Sequence, residues 1–264
     1  MARDRRDHYY WKAKDEGYRS RAAFKLLQIN NKFHIINNYS TVVDLGAAPG
    51  GWLEVVRDLT SRPVVGVDLR PIKPIKGVTT LKGDITSDAT IEKIIEIVGE
   101  EGVDTVICDA APNLSGNWSL DHARSVDLAT SALNCAKKIL KPKGNFVVKV
   151  FHGDMFRDYL EEVKLQFSYV RAHSPKASRS ESAEMYVIGK KFLTAPLRKG
   201  DEFDVEITRL GSGGDGAVLV EGFVVFVGNV EIGDRVRIRI RDVKPSFAFA
   251  DVIGKEGDLG ENSK

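Results

Sequence analysis

The stretch Val42 to Trp52, VVDLGAAPGGW, decides the fold. Its opening VVDL is a short apolar run of the kind that forms a buried parallel strand. Gly46, Gly50 and Gly51 then allow the backbone to approach a ligand closely, and a helix starts at the far end of the turn. The spacing G-x-A-x-x-G departs from the dinucleotide fingerprint, because Ala48 stands where a second glycine would meet a pyrophosphate. Alone, such a loop serves tight packing as readily as ligand binding.

Working outward, residues 63–67, 103–108 and 145–150 are further apolar runs that end in or beside Gly, Asp or Lys, and they read as buried parallel strands. Between them Val126, Ala129, Leu133, Ala136 and Leu140 keep a helical spacing, closed by Pro142 and Gly144. A second helix is expected to start at Asp154 as N-cap and to bury Phe156, Leu160, Val163 and Phe167. Ahead of the first strand, Ser20 is expected to cap the helix RAAFKLLQI, with Phe24, Leu27 and Ala23 toward the sheet. Residues 184–192 read as a last strand. This alternation predicts an α/β, Rossmann-like architecture with a mostly parallel, doubly wound sheet.

In such a sheet ligands bind beyond the carboxyl ends of the strands. Asp68 closes the second strand, where an acid accepts hydrogen bonds from ribose hydroxyls, Asp84 follows the third, and Asp109 closes the fourth. Each could singly cap a turn; together they mark one crevice. Lys149 ends a buried strand, where a lysine either reaches water or serves chemistry. Beside Asp109 it could polarise or deprotonate a substrate hydroxyl. A neutral lysine base would need burial or a second cation, and Lys25 could supply that cation.

Composition narrows the class. In 264 residues 42% are apolar and 29% charged, an ordinary globular balance. Cys108 and Cys135 lie far apart, outside any metal-ligand or disulfide pattern, so no metal is expected and a reducing, cytoplasmic setting fits. No apolar run approaches the roughly 20 residues that span a bilayer, so no membrane association is expected. The net charge of +2 averages unlike parts. The first 25 residues hold eight Lys and Arg against four Asp and Glu, among Tyr9, Tyr10, Trp11 and Tyr18. Cations interleaved with rings suit looped RNA, with Arg19 and Arg21 as candidate contacts, or else form a solvated arm.

The pattern changes at 194–199, a short linker with Pro196 and two basic residues. Alternating residues and glycine turns over 200–254 predict a small OB-like β-barrel, and 255–264 a disordered tail. Arg235, Arg237, Arg239 and Arg241 share one strand face at about 6.6 Å spacing, a row that can follow a phosphate backbone or simply solubilise an outer face.

The segments GYRSRAAFKLLQI, VVDLGAAPGGW, VVGVDL, GDIT, CDAAPNLSG, NFVVKVFHG and SAEMYVIGKK resemble, in order and spacing, the FtsJ/RlmE family of RNA ribose 2′-O-methyltransferases. The resemblance covers about residues 8–192, which makes 1–193 the expected catalytic domain with its basic arm. It implies S-adenosylmethionine as cofactor, held by Gly50, Trp52, Asp68, Asp84 and Asp109, and a catalytic set of Lys25, Asp109, Lys149 and Glu184, with Glu181 a rival to Glu184. It also implies a uridine of large-subunit ribosomal RNA as target, within the large subunit. The alternatives are transfer RNA as substrate, or a noncatalytic RNA-binding ribosome-assembly factor. Cys108 and Ala110 differ from the Ser and Met common in bacterial members. The segment 205–243 similarly resembles a TRAM domain, which implies RNA binding.

Overall fold

The computed structural model describes residues 7–99, 101–179, 182–193, 197–211, 214–244 and 247–255. It divides into two units, Met1–Phe192 and Leu193–Lys264. The first begins with α1 (His8–Asp15), α2 (Ala23–Phe33), β1 (Val42–Leu45), α3 (Gly51–Leu59), β2 (Val64–Asp68), β3 (Thr79–Lys82) and α4 (Asp88–Val98). It continues with β4 (Val103–Cys108), α5 (Trp118–Ile139), β5 (Leu140–Phe151), α6 (Phe156–Lys164), β6 (Phe167–His173) and β7 (Glu184–Phe192).

The sheet order is β3-β2-β1-β4-β5-β7-β6. Strands β1 to β5 run parallel, and β7 and β6 complete the sheet antiparallel. Both faces are covered, which is why the central strands are apolar almost throughout. Val43, Leu45, Val67, Val106 and Val148 pack against α5 and α6 through Leu133, Ala136 and Val163. Val42, Val64, Ile107, Val147 and Ile188 pack on the other face against Leu26, Ile29, Leu53 and Val56.

Four sequence expectations are corrected here. Ser20 does not cap α2, whose N-cap is Ala22 with no side-chain bond; Ser20 is instead pressed against Gly51. The sheet-facing residues of α2 are Ala23, Leu26, Ile29 and Phe33, while Phe24 turns to a small cluster with Ala13 and Ala177. Asp154 does not cap α6: the Met155 N–H is taken by His122 Nε2 at 3.1 Å, so a neighbouring helix supplies the acceptor. That helix ends at Lys164, and Phe167 opens β6, where it packs on Phe146.

The second unit contains β8 (Glu202–Glu206), β9 (Arg209–Leu210), β10 (Gly216–Val220), β11 (Phe223–Val227), β12 (Arg235–Val243) and β13 (Phe247–Lys255). They form one curled six-stranded sheet, a half-barrel in the order β8-β12-β13-β11-β10-β9. Ile207, Val218, Val225, Ile238, Ile240 and Ala248 fill its core. Strand β13 reaches Lys255, past the expected start of a disordered tail; 256–264 and linker residues 194–196 lie outside the described residues.

Candidate active site

Beyond the end of β1 the chain turns on glycines that the packing demands. Gly46 has φ +72°, and a Cβ there would lie 2.4 Å from the Ala110 Cβ. Gly50 has φ +113°, a left-handed conformation at the N-cap of α3. Arg19 braces this turn: Nε donates to Glu54 at 2.9 Å, and the guanidinium also donates to the carbonyls of Pro49, Lys73 and Pro74 at 3.3, 2.6 and 2.8 Å. Arg21 is paired with Asp7 and donates to the Ala177 carbonyl. The RNA contact expected of Arg19 and Arg21 needs available guanidiniums, whereas both are engaged by partners within the unit, Arg19 by α3 and the glycine turn and Arg21 by Asp7 and Ala177.

The acids stand at the carboxyl edge as the topology requires. Asp68 accepts from the N–H groups of Ala48 and Arg70 at 2.9 and 2.8 Å. Asp84 is exposed and accepts from the Thr86 N–H and hydroxyl, which hold its carboxyl below the usual range. Trp52 is a core residue: its indole N–H donates to the Ala22 carbonyl at 2.7 Å, so its ring faces inward rather than toward a ligand.

Lys25 from α2, Asp109 after β4, Lys149 from β5 and Glu184 at the start of β7 meet in one cluster. Lys25 Nζ lies 2.6 Å from Glu184 Oε2. Lys149 Nζ lies 3.0 Å from Asp109 Oδ1 and 3.9 Å from Glu184 Oε1, and donates to the Asp109 carbonyl at 2.7 Å. Both lysines are only 7% exposed, a burial that charged side chains tolerate when paired. The rival Glu181 lies outside the described residues.

Electrostatics revise the expected role of Lys25. Burial pushes the Lys149 ammonium down, but Asp109 and Glu184 outweigh burial and hold it above the ordinary lysine range. For Asp109, burial pushes up while Lys149, Lys25 and the Tyr186 hydroxyl pull it lower overall. Lys25 is paired with Glu184, and Lys149 is held up by its two carboxylate neighbours rather than lowered. Lys149 donates to the Asp109 carbonyl and faces two carboxylates, which favour its charged form.

Two members do not stand out in the sequence. Tyr186 donates to Asp109 Oδ1 at 2.6 Å and lies under Lys25, whose Nζ is 5.7 Å from the ring centre. Its place two residues after Glu184 on one strand face is the only local signal of that role. Asp44 is buried in β1 with no hydrogen-bond partner on either carboxylate oxygen, and burial with the nearby Asp109 and Asp68 charges drives its carboxyl well above the ordinary range. An acid inside the apolar run VVDL is the corresponding clue.

A model of the FtsJ-like methyltransferase family matches residues 18–192. The chain belongs to this family. The FtsJ-like unit is followed by a match to the TRAM domain over residues 196–253. A protein of Methanosarcina acetivorans named ribosomal RNA large subunit methyltransferase E is 71% identical over 252 residues, covering 96% of this chain and 93% of the relative. One of the same name from Methanococcoides burtonii is 66% identical and covers both chains fully. A crystal structure of a Plasmodium falciparum protein described as a ribosomal RNA methyltransferase is 27% identical, with a TM-score of 0.60, over 66% of this chain and 98% of its own.

S-adenosylmethionine is the methyl donor of FtsJ-like enzymes. The residues at the carboxyl edge fit it. Asp68 and Asp84 offer carboxylate acceptors suited to ribose hydroxyls, and the buried Asp44 carboxyl in the adjoining strand has both oxygens without a partner.

The arginine row of β12 alternates with buried Val236, Ile238 and Ile240. Each arginine meets an acid: Arg235 pairs with Glu206, Arg237 and Arg239 with Glu202, and Arg241 with Asp251. Among the described residues no helix is long and apolar enough to cross a membrane.

Proposed function

We propose that this protein transfers a methyl group from S-adenosylmethionine to a ribose 2′-hydroxyl of large-subunit ribosomal RNA, at a uridine. The observation that carries the reading is the largely buried cluster of Lys25, Asp109, Lys149 and Glu184 in a chain whose full-length relatives are named ribosomal RNA large subunit methyltransferase E. Bound S-adenosylmethionine supplies a methyl carbon activated by a sulfonium. Asp68, Asp84, Gly50 and Asp109 line its side of the crevice, and Trp52 supports it from the core.

A ribose hydroxyl is a weak nucleophile, so the protein must align it and stabilise the charge that develops as its proton leaves. The Lys149 ammonium donates to the 2′-oxygen; as the oxygen–methyl bond forms, with S-adenosylhomocysteine as the leaving group, the hydroxyl proton passes to the Glu184 carboxylate. Asp109 and Glu184 hold that ammonium in place, Tyr186 fixes Asp109, and Lys25 fixes Glu184 while adding a second cation for the substrate. Residues 1–193 form the catalytic domain in this reading, 194–199 the linker, and 200–254 an RNA-anchoring TRAM module acting on the large subunit in the cytoplasm.

Mapping 2′-O-methylation of ribosomal and transfer RNA with and without the protein tests the assignment. A site in large-subunit ribosomal RNA is expected; modification of transfer RNA alone would move the substrate, and no site anywhere would leave a noncatalytic assembly factor. Lys149→Ala should lower kcat by about 10²- to 10⁴-fold while S-adenosylhomocysteine binds as before. Wild-type turnover in that variant would remove Lys149 from the catalytic set.

A further inference from the structure

Beside the ion cluster the first unit has a cavity of about 430 Å³, within the range of about 300–1,000 Å³ typical of small-molecule pockets. Glu184 forms part of its wall, together with Phe151, Trp118, Leu114 and Arg179. Phe151 pairs with Glu184 across β5 and β7, two residues along from the pairing of Lys149 with Tyr186. Whatever fills the cavity therefore lies beside the ion cluster.

Trp118 is the unusual member. It remains 51% exposed, although an indole is costly to leave in water. Its plane is nonetheless fixed: the ring lies 19° from parallel with Phe151 at 6.0 Å, and 15° from parallel with His122 at 6.1 Å. The loop that leads into it is also held. Asp121 accepts from the Ser115 N–H at 2.7 Å, the Ser115 hydroxyl at 2.8 Å and the Gly116 N–H at 3.1 Å, and Asn117 caps α5. A flat aromatic surface, half open and rigidly mounted, is a platform on which a base stacks without a large ordering cost.

We propose that this cavity holds the base of the nucleotide whose 2′-hydroxyl is methylated, stacked on Trp118. The proposal rests on the ribose-methylation reading above. In a nucleotide the base is joined to the carbon next to the one that bears the 2′-hydroxyl, so a ribose at Lys149 delivers its base to the neighbouring wall. Such a base must be turned out of any helical stack, and stacking on an aromatic platform offsets that loss.

The test uses the full chain, S-adenosylmethionine and an unmodified large-subunit rRNA transcript, at the site mapped with the wild type. Trp118→Ala should lower kcat/KM for RNA about 10- to 100-fold, Trp118→Phe should retain most of it, and S-adenosylhomocysteine affinity should not change. On a transcript whose target nucleotide is abasic but keeps its ribose, the wild type should lose a similar factor and Trp118→Ala nothing further. Equal penalties for Trp118→Ala on intact and abasic RNA would overturn the proposal, as would no penalty on intact RNA. The abasic transcript probes the same interaction with unaltered protein, so undiminished wild-type turnover on it would overturn the proposal even if Trp118→Ala misfolds. A wild-type protein that methylates no ribosomal RNA ribose would instead overturn the function on which the proposal rests.

Discussion

At the scale of single residues, Asp44 is an acid held where its charge is disfavoured. An unpaired carboxyl buried in β1 beside Asp68 and Asp109 resists ionisation, so its folded pKa lies well above its unfolded value of about 3.9. An acid shifted this way favours the fold at low pH, and the benefit is lost as pH rises from the unfolded value through the folded one. Asp44→Asn removes the titration. It should stabilise the ligand-free protein at pH 7 by about 1–3 kcal/mol, with the gain disappearing below pH 4, as read by denaturant unfolding across pH. A stability difference between variant and wild type that is the same at both pH values would refute the account. Every residue of the clustered four is readable from sequence, through the resemblance of the surrounding motifs to the family. Tyr186 and Asp44 are not, because their importance lies in one hydrogen bond and in the absence of any.

At the scale of elements, the glycine turn and its brace behave as a unit. Arg19 belongs to a basic, aromatic arm whose composition suits RNA, yet its donors go to Glu54 and three carbonyls around the turn. Arg19→Ala should lower the melting temperature, at a cost of about 1–3 kcal/mol, and weaken cofactor binding, while leaving the salt dependence of RNA binding unchanged. A salt slope reduced by about one would return Arg19 to the RNA interface. The helix starts show the same limit of local reading. Ser20 and Asp154 are good capping residues by type, but Gly51 draws Ser20 into packing and His122 supplies the acceptor at α6. Capping preference is local, and long-range neighbours override it.

At the scale of the whole molecule, charge is arranged rather than accumulated. The β12 arginines are exposed and each is matched by an acid, and surface pairs of this kind contribute little to stability and can be exchanged for phosphates. Replacing Arg235, Arg237, Arg239 and Arg241 together by Gln should cost little in melting temperature and reduce the slope of log affinity against log salt by about one for each phosphate left without its arginine. An unchanged slope would make the row a solubilising face. The sequence by itself determined the α/β sheet with its appended β unit, the carboxyl-edge acids and the identity of the four clustered residues. Strand hydrophobicity, glycine turns and motif order are local patterns, written along the chain. Only the tertiary structure decided which charges neutralise one another, that Lys149 rests as an ammonium, that Arg19 is a brace, and that Trp118 stands half-exposed beside Glu184. Those facts depend on distances between residues far apart in the chain and on how much water each retains, which no local pattern encodes.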